Sequence, residues 1–286
     1  SIHAVMEKKH PMIINAVSDF TAYAENMAAQ GRANGWKKLA MVATSGTYGE
    51  AWRKTFADVW IAKGGQVVGD YPVNYYTETD FSVPLAAALA KKPEVLLIGG
   101  PSATTALVVR QARERGFRGG FILIDQAKPD YVAKMLGDMK LLEGMISTGD
   151  IGAVPVPAMP AFKERFYAAY KRDITAECVL HYTILKVIAK TIQITGSVRP
   201  AEIRANLHQA LPVAGDEFPA ELFGIEDNGD LLCGLVMQTV REGKFSKVDY
   251  IFSFPKTKED FEKYKKMSKT AEPEMIRWAP VDRLDN

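Results

Sequence analysis

The sequence lacks the short motifs that mark the common enzyme classes. It contains no HExxH, CxxC or GxSxG pattern. Its four histidines, at positions 3, 10, 181 and 208, have no spacing typical of metal ligands. The run VLLIGGPSATTAL (95–107) turns through two glycines into a predicted helix, but it has neither the lysine of a phosphate-binding loop nor the GxGxxG of a dinucleotide site. We therefore expect no bound metal or cofactor, and we expect this turn to bind some other ligand.

An excess of charge of one sign and a long hydrophobic run are absent too. The chain has 36 basic and 34 acidic side chains, a net charge of +2, which disfavours nucleic acid and anionic membranes as partners. No apolar run approaches the roughly 18–20 residues needed to cross a bilayer. There is no signal peptide among these residues, and because the chain begins with Ser1 we expect any leader to have been removed by processing or to have been left out of this sequence.

Cysteine is scarce. Cys178 and Cys233 could form one disulfide, but two buried free thiols are the more frequent arrangement for such a pair.

A strand–helix repeat fills the middle of the chain. Because strands alternate with helices and read as continuous apolar runs, we predict a doubly wound α/β domain with a parallel sheet covered on both faces. The predicted strands are KKLAMVA from Lys37, QVVGDY from Gln66, EVLLIGG from Glu94, GFILID from Gly120 and GMIST from Gly144. The predicted helices are 49–63, 81–91, 102–115 and 129–137.

The flanking segments have other patterns. We predict a helix end over 1–9, a strand at PMIINA (11–16) and a helix over 19–34. After the Pro-rich segment IGAVPVPAMP, we predict helices over 160–171 and 176–195 and a shorter one after Pro200. The sequence DNG, followed by an alternating apolar run, predicts a tight turn that leads into a strand.

These elements together resemble a known family. The segments occur in the order KKLAMV, YGE, GG, TDFS, PEVLLIGG, QARERGF and FILID, with IEDNGD and REGKF near the end. A chain with these segments in this order resembles the periplasmic (type I) binding proteins of branched-chain amino acid ABC importers. The resemblance covers nearly the whole chain. It implies an α/β fold of two doubly wound lobes that close around a small ligand, joined by three chain crossings.

The resemblance also implies how the chain divides. We expect 1–16 to be a remnant of the first lobe, 17–172 to form the second lobe, 173–245 to belong to the first lobe, and 246–286 to return to the second lobe and end as a tail. The first-lobe segments together are shorter than the about 100–150 residues of an ordinary domain. We therefore expect an amino-terminal part of the first lobe to be missing. Self-association would follow through helix 176–195, exposed at Val179, Leu180, Ile184 and Val187.

Ligands of open α/β sheets bind beyond the carboxyl ends of the strands, where three loops carry candidates. In the first loop, the resemblance implies a ligand-contacting aromatic at Tyr48, with the Ser45 and Thr47 hydroxyls nearby; alternatively, Tyr48 only starts its helix. In the second, we expect Gly100, Pro101 and Ser102 to line the ligand space and to favour a carboxylate, so that Gly100→Val would abolish binding. Ser102 either contacts the ligand or caps its helix, and the cap is favoured.

The third loop and one helix complete the set. The resemblance implies an acidic residue that pairs with a ligand ammonium, and Asp125 is the candidate, beside Gln126 and Lys128. Asp125 would favour a cationic or zwitterionic ligand, whereas Lys128 would favour a carboxylate. The resemblance also implies a cleft-facing aromatic at Tyr182; packing or exposure is favoured over ligand contact for its neighbour His181.

The resemblance implies a periplasmic solute-binding protein without enzymatic activity. Its ligand would be an amino acid or an organic or aromatic carboxylate, and its partner an ABC transporter permease. A ligand-sensing module of a receptor or regulator is the second hypothesis, and a doubly wound enzyme is the third.

Overall fold

The computed structural model describes residue 8, residues 10–18 and residues 20–280. This part of the chain divides into two compact units. Unit 1 contains Phe20–Gly149 and Met237–Val248, and unit 2 contains the described residues of 2–19, 150–236 and 249–286. The helix end predicted over 1–9 lies outside the described residues, apart from Lys8.

The strands and helices of the described residues are numbered in chain order. The strands are β1 (Lys38–Ala43), β2 (Gln66–Asp70), β3 (Val95–Gly99), β4 (Gly120–Leu123), β5 (Met145–Thr148), β6 (Gly224–Ile225), β7 (Leu231–Leu232), β8 (Leu235–Arg241), β9 (Lys244–Phe245), β10 (Asp249–Phe252) and β11 (Ile276–Trp278). The helices are α1 (Phe20–Ala33), α2 (Gly46–Ala62), α3 (Ser82–Ala90), α4 (Ser102–Glu114), α5 (Pro129–Leu136), α6 (Met159–Tyr170), α7 (Ala176–Thr195), α8 (Pro200–Asn206) and α9 (Lys258–Met267).

Unit 1 is a doubly wound α/β structure, as the strand–helix repeat predicts. Its strands lie in the order β8-β5-β4-β3-β1-β2. The five strands β1 to β5 are parallel, and β8 adds to β5 in the antiparallel sense. All residues of β3, β4 and β5 are buried, because helices cover both faces of the sheet.

Helix α2 begins at Gly46, three residues before the predicted start. Close packing at Gly49 explains the glycine in its first turn: a Cβ atom there would lie 1.8 Å from the carbonyl oxygen of Thr44. The glycine therefore lets the helix approach the end of β1, and it does not mark the start of the helix. The first turn of α2 consequently lies directly on the carboxyl end of β1.

Unit 2 contains the long helix α7, which has the predicted bounds of 176–195. The Oγ1 atom of Thr175 accepts a hydrogen bond from the Cys178 N–H, which caps the helix start. Gly196 ends the helix in the left-handed region at φ +67°. The expected exposure of this helix is wrong at two positions, because Val179 and Val187 are buried. Leu180 and Ile184 are half-buried.

The predicted strand over 11–16 does not form. Asn15 makes one isolated parallel bridge to Asp230, and the residues around it are irregular. The segment instead pairs with the turn predicted from DNG: Asn15 N–H donates to the Gly229 oxygen at 2.9 Å. That turn joins the two-residue strands β6 and β7, which pair in the antiparallel sense. Ile14 and Ala16 of this run pack against an apolar cluster that includes Val187 and Leu231.

By their contacts, residues 150–172 and 249–280 belong to unit 2 and residues 237–248 to unit 1. The lobe boundaries expected from the resemblance stay a prediction. Buried Glu221 shows why the late segment stays with unit 2. Its carboxylate accepts hydrogen bonds from the Gly215 N–H at 3.2 Å, the Ser268 hydroxyl at 2.6 Å and the Lys269 N–H at 2.7 Å.

Both cysteines are free thiols. Cys233 is buried, with its sulfur 3.9 Å from the Ser18 hydroxyl, whereas Cys178 is half-buried. The expectation of two free thiols is therefore confirmed, but only one of them is buried.

Candidate ligand-binding site

The three loops predicted to carry the site follow neighbouring strands of unit 1. In the parallel register, Ala43 at the end of β1 lies opposite Gly99 at the end of β3. Ile98 of β3 lies opposite Leu123 at the end of β4. Because these strands end at the same level, the loops that follow them lie side by side at one edge of the sheet.

Tyr48 and Asp125 meet at this edge. Tyr48 lies in the first turn of α2, and its hydroxyl donates a hydrogen bond to Oδ1 of Asp125, the second residue after β4. Strand β3 lies between β1 and β4, so the two side chains span the end of β3.

A second donor, which the sequence analysis does not predict, forms a hydrogen bond to the same carboxylate oxygen. The indole Nε1–H of Trp52 donates to Asp125 Oδ1 at 2.8 Å. Trp52 follows Tyr48 by four residues on α2, so both side chains lie on one face of the helix. The spacing of four residues between Tyr48 and Trp52 is the sequence feature from which this second donor could have been predicted. Both hydrogen bonds end on Oδ1, and neither involves the other oxygen, Oδ2.

An aromatic cluster supports the pair of donors. Phe20, the first residue of α1, packs edge-on against Tyr48 with ring centroids 5.6 Å apart. It also packs against Trp52 at 5.0 Å, and Tyr23 lies 6.3 Å from the same indole. Trp52 has no solvent exposure. The donors to Asp125 therefore project from a packed apolar wall.

Electrostatics keep Tyr48 protonated. Burial raises the pKa of its phenol well above the ordinary value of 10, and the neighbouring Asp125 carboxylate raises it further. The hydroxyl is therefore a hydrogen-bond donor at neutral pH, and the carboxylate is its acceptor.

The loop after β3 differs from its prediction in two respects. A Cβ atom on Gly100 would lie 2.8 Å from three atoms of Tyr75, so packing against this buried ring requires the glycine. The N–H groups of Gly99 and Gly100 donate to Tyr75 Oη at 3.3 Å and Thr105 Oγ1 at 3.2 Å. The contact of Gly100 with a ligand stays a prediction, but internal partners already occupy these two backbone donors.

Ser102 does not cap its helix, so the favoured role is wrong. It is the first residue of α4, after an N-cap position occupied by Pro101, and its Oγ accepts from the Lys128 N–H at 3.0 Å. This bond joins the second loop to the third. A serine hydroxyl that accepts one hydrogen bond can still donate another, so its contact with a ligand stays a prediction. Pro101 is half-buried beside it.

Gln126 extends the third loop towards an exposed tyrosine. Its Nε2 donates to the hydroxyl of Tyr76 at 2.8 Å, and the ring of Tyr76 is 67% exposed. The Oε1 atom of Gln126 is buried and has no hydrogen-bond partner among the described residues. An acceptor in this state would gain from a donor supplied by a ligand.

The remaining candidates have simpler surroundings. Ser45 is half-buried at the N-cap of α2 without a side-chain cap, and Thr47 is exposed. In unit 2, Tyr182 packs against Phe162 with ring centroids 4.9 Å apart, and the Nζ of Lys186 lies 5.7 Å from its ring. His181 is exposed, which agrees with the favoured interpretation.

A groove of about 690 Å³ lies at the opposite edge of the sheet in unit 1. It is lined by residues that precede β1, β3 and β4, including the charged residues Lys92, Glu94, Arg115 and Arg118. No predicted site residue contributes to it. The candidate site is instead the Tyr48–Asp125 edge.

Comparison with known families identifies the family of the chain. A profile described as periplasmic binding protein matches residues 3–244. The chain belongs to the periplasmic binding protein family. This membership confirms the resemblance and the fold class predicted from the sequence, and its members are binding proteins. No curated protein matches the chain.

Solved structures share the fold. A leucine-binding protein, LivK, from Thermotoga maritima is 24% identical, with a TM-score of 0.66 over 80% of this chain and 64% of its own. A periplasmic binding protein from Burkholderia mallei is 21% identical, with a TM-score of 0.72 over 83% and 64%. LivJ from Streptococcus pneumoniae, solved in complex with isoleucine, is 17% identical, with a TM-score of 0.64 over 79% and 63%. The chain thus spans less than two thirds of the length of each.

Two searches of the described residues found nothing. None of their helices combines the length and the apolar character needed to span a membrane. They also contain no group of three or more His, Cys, Asp or Glu residues that could hold a metal ion.

Proposed function

We propose that this chain is the ligand-binding part of an extracytoplasmic solute-binding protein. It binds an amino acid or a related carboxylate and delivers it to the permease of an ABC importer. Membership of the periplasmic binding protein family supports the binding role. The isoleucine complex of the LivJ structure supports an amino acid as the ligand class.

The Asp125 carboxylate is the single observation on which the ligand class depends. Two neutral donors, Tyr48 and Trp52, hold one of its oxygens, and neither of them carries a positive charge that would compensate the carboxylate. Such a group favours a cationic ligand group, and an ammonium would donate to Oδ2. The half-buried ring of Tyr48, backed by Phe20, supplies apolar surface for a hydrocarbon side chain.

The experiment is a calorimetric titration against a panel of ligands, accompanied by native mass spectrometry of the purified protein to detect a molecule that co-purifies. The panel contains leucine, isoleucine, valine, phenylalanine, benzoate and 4-methylpentanoate. We expect binding of at least one amino acid, and we expect Asp125→Asn to weaken it at least about tenfold, as for loss of a charged hydrogen bond.

The matched control is Asp58→Asn. Asp58 is exposed on the same helix as Tyr48, where it pairs with Lys54 at 2.8 Å. Its loss should leave affinity unchanged. Binding of the carboxylates alone, unaffected by Asp125→Asn, would contradict the proposed amino-acid ligand.

Delivery to a permease needs a separate test. Addition of the ligand-loaded chain should stimulate ATP hydrolysis by the reconstituted importer of the same organism. If the loaded chain fails to stimulate the importer, the delivery role is wrong while the binding role stands.

A further inference from the structure

Trp52 combines complete burial with a polar contact at the edge of the candidate site. Its indole has no solvent exposure, and its one N–H group donates to Asp125 Oδ1 at 2.8 Å. A buried indole N–H needs an acceptor, and most find a neutral carbonyl. Trp60, eight residues later on the same helix, does so: its N–H donates to the Lys37 oxygen at 3.1 Å. Trp52 uses a carboxylate instead.

The indole is fixed from several directions. Phe20 packs against it at 5.0 Å and Tyr23 at 6.3 Å, and α2 holds its backbone. Asp125, by contrast, lies in a loop between β4 and α5. Packing therefore holds the indole in place independently of its hydrogen bond to Asp125.

Both donors bind the same oxygen of Asp125, which has a geometric consequence. With Oδ1 held by Tyr48 and Trp52, rotation of the carboxylate about its Cβ–Cγ bond would break two hydrogen bonds at once. The indole is the fully buried donor of the two, since Tyr48 is half-buried, and it therefore contributes to fixing the position of Oδ2.

We propose that Trp52 is a positioning residue that sets the preference of the site for ligands that carry an amino group. It does not contact the ligand. It anchors Asp125, so that Oδ2 is held where an ammonium group can donate a hydrogen bond to it. Because the carboxylate is already ordered before the ligand binds, the free energy of binding is not reduced by the cost of ordering it. The proposal rests on the proposed function of the Asp125 site.

The test compares two probes that differ only in the amino group, L-leucine and 4-methylpentanoate. Trp52→Phe keeps an aromatic ring against Phe20 and removes only the N–H donor and part of the ring. We expect it to weaken L-leucine binding about tenfold, as for loss of a hydrogen bond to a charged group. Binding of 4-methylpentanoate should change less than about twofold, so discrimination between the two probes falls.

Trp60→Phe is the matched control, because it removes an equally buried indole and one N–H hydrogen bond from the same helix. It should lower thermal stability to a similar extent and leave the ratio of the two affinities unchanged. If Trp52→Phe preserves that ratio, either by binding both probes normally or by weakening both equally, Trp52 is a packing residue and the inference is overturned.

If Trp52→Phe does not fold, a second measurement on the unaltered chain tests the role of Trp52. In the unaltered chain labelled with ¹⁵N at tryptophan, L-leucine should shift the Trp52 indole N–H resonance and slow its hydrogen exchange, because the ligand tightens the anchored carboxylate. The analogue should do neither. Identical spectra with both probes would overturn the inference. If the unaltered chain binds neither probe, both the proposed function and the inference about Trp52 are contradicted. An unchanged ratio of the two affinities in Trp52→Phe contradicts only the inference about Trp52.

Discussion

The hydroxyl of Tyr48 donates a hydrogen bond to Oδ1 of Asp125, although 77 positions separate them in the chain. The bond joins the helix that follows β1 to the loop that follows β4. Trp52 donates to the same oxygen, which makes Asp125 the point where two segments of unit 1 are joined at the carboxyl edge of the sheet.

Tyr48→Ala should weaken ligand binding more than it weakens folding. The substitution removes the ring that packs on Phe20 and one of the two donors to Asp125, and truncating an aromatic in a binding centre costs about 2 kcal/mol or more of binding free energy. Calorimetry measures the affinity and thermal unfolding measures the stability. Tyr167→Ala, which truncates an exposed tyrosine of unit 2, is the control. Unchanged affinity in folded Tyr48→Ala would remove Tyr48 from the site.

Gly100→Ala should destabilise the fold, because the residue packs against the buried ring of Tyr75. The new Cβ would lie 2.8 Å from Tyr75 atoms in a closely packed region, and overpacking of this kind costs about 1–3 kcal/mol. Denaturant unfolding measures the cost, with Lys91→Ala, an exposed change beyond α3, as the control. A fully stable Gly100→Ala protein that has lost binding would instead support the ligand's close approach to this glycine.

Arg53→Met should destabilise unit 1 by about 1–3 kcal/mol, because it leaves the carbonyl oxygen of buried Thr44 without its donor. The Arg53 guanidinium donates to the Thr44 oxygen at 2.7 Å and to the Asp70 carboxylate at 3.1 Å. The adjacent Lys54→Ala removes only an exposed pair with Asp58, and its free energy of unfolding should stay near that of the unaltered chain. Equal stability of the two variants would contradict a structural role for Arg53.

The free energy of unfolding should fall between pH 9 and pH 11 because of Cys233. Burial raises the pKa of this thiol from its ordinary value of 9.0 to about 11. The unfolded chain loses the proton first, so stability that is fully present below pH 9 is lost as the pH rises through 11. Urea unfolding at intervals of pH measures the slope. Cys233→Ala should flatten it and Cys178→Ala should not; equal slopes in both variants would contradict the assignment.

The sequence by itself determined the local elements of this protein. Apolar runs bounded by glycine and proline predicted β1 to β5, because strands covered on both faces need no polar alternation. Helix α7 was predicted to its last residue, since Thr175 and Gly196 are local start and stop signals that act within a few positions. The DNG turn was predicted for the same reason.

Tertiary structure alone decided which partners those elements found. The run at 11–16 has the composition of a strand but meets only one bridging residue, Asp230, so it stays irregular. Ser102 has a capping side chain, yet its oxygen accepts from Lys128, which the fold brings beside it. Trp52 and Asp125 are 73 positions apart and meet because parallel strands end at one edge of the sheet. Contacts between distant segments depend on packing that no local pattern encodes.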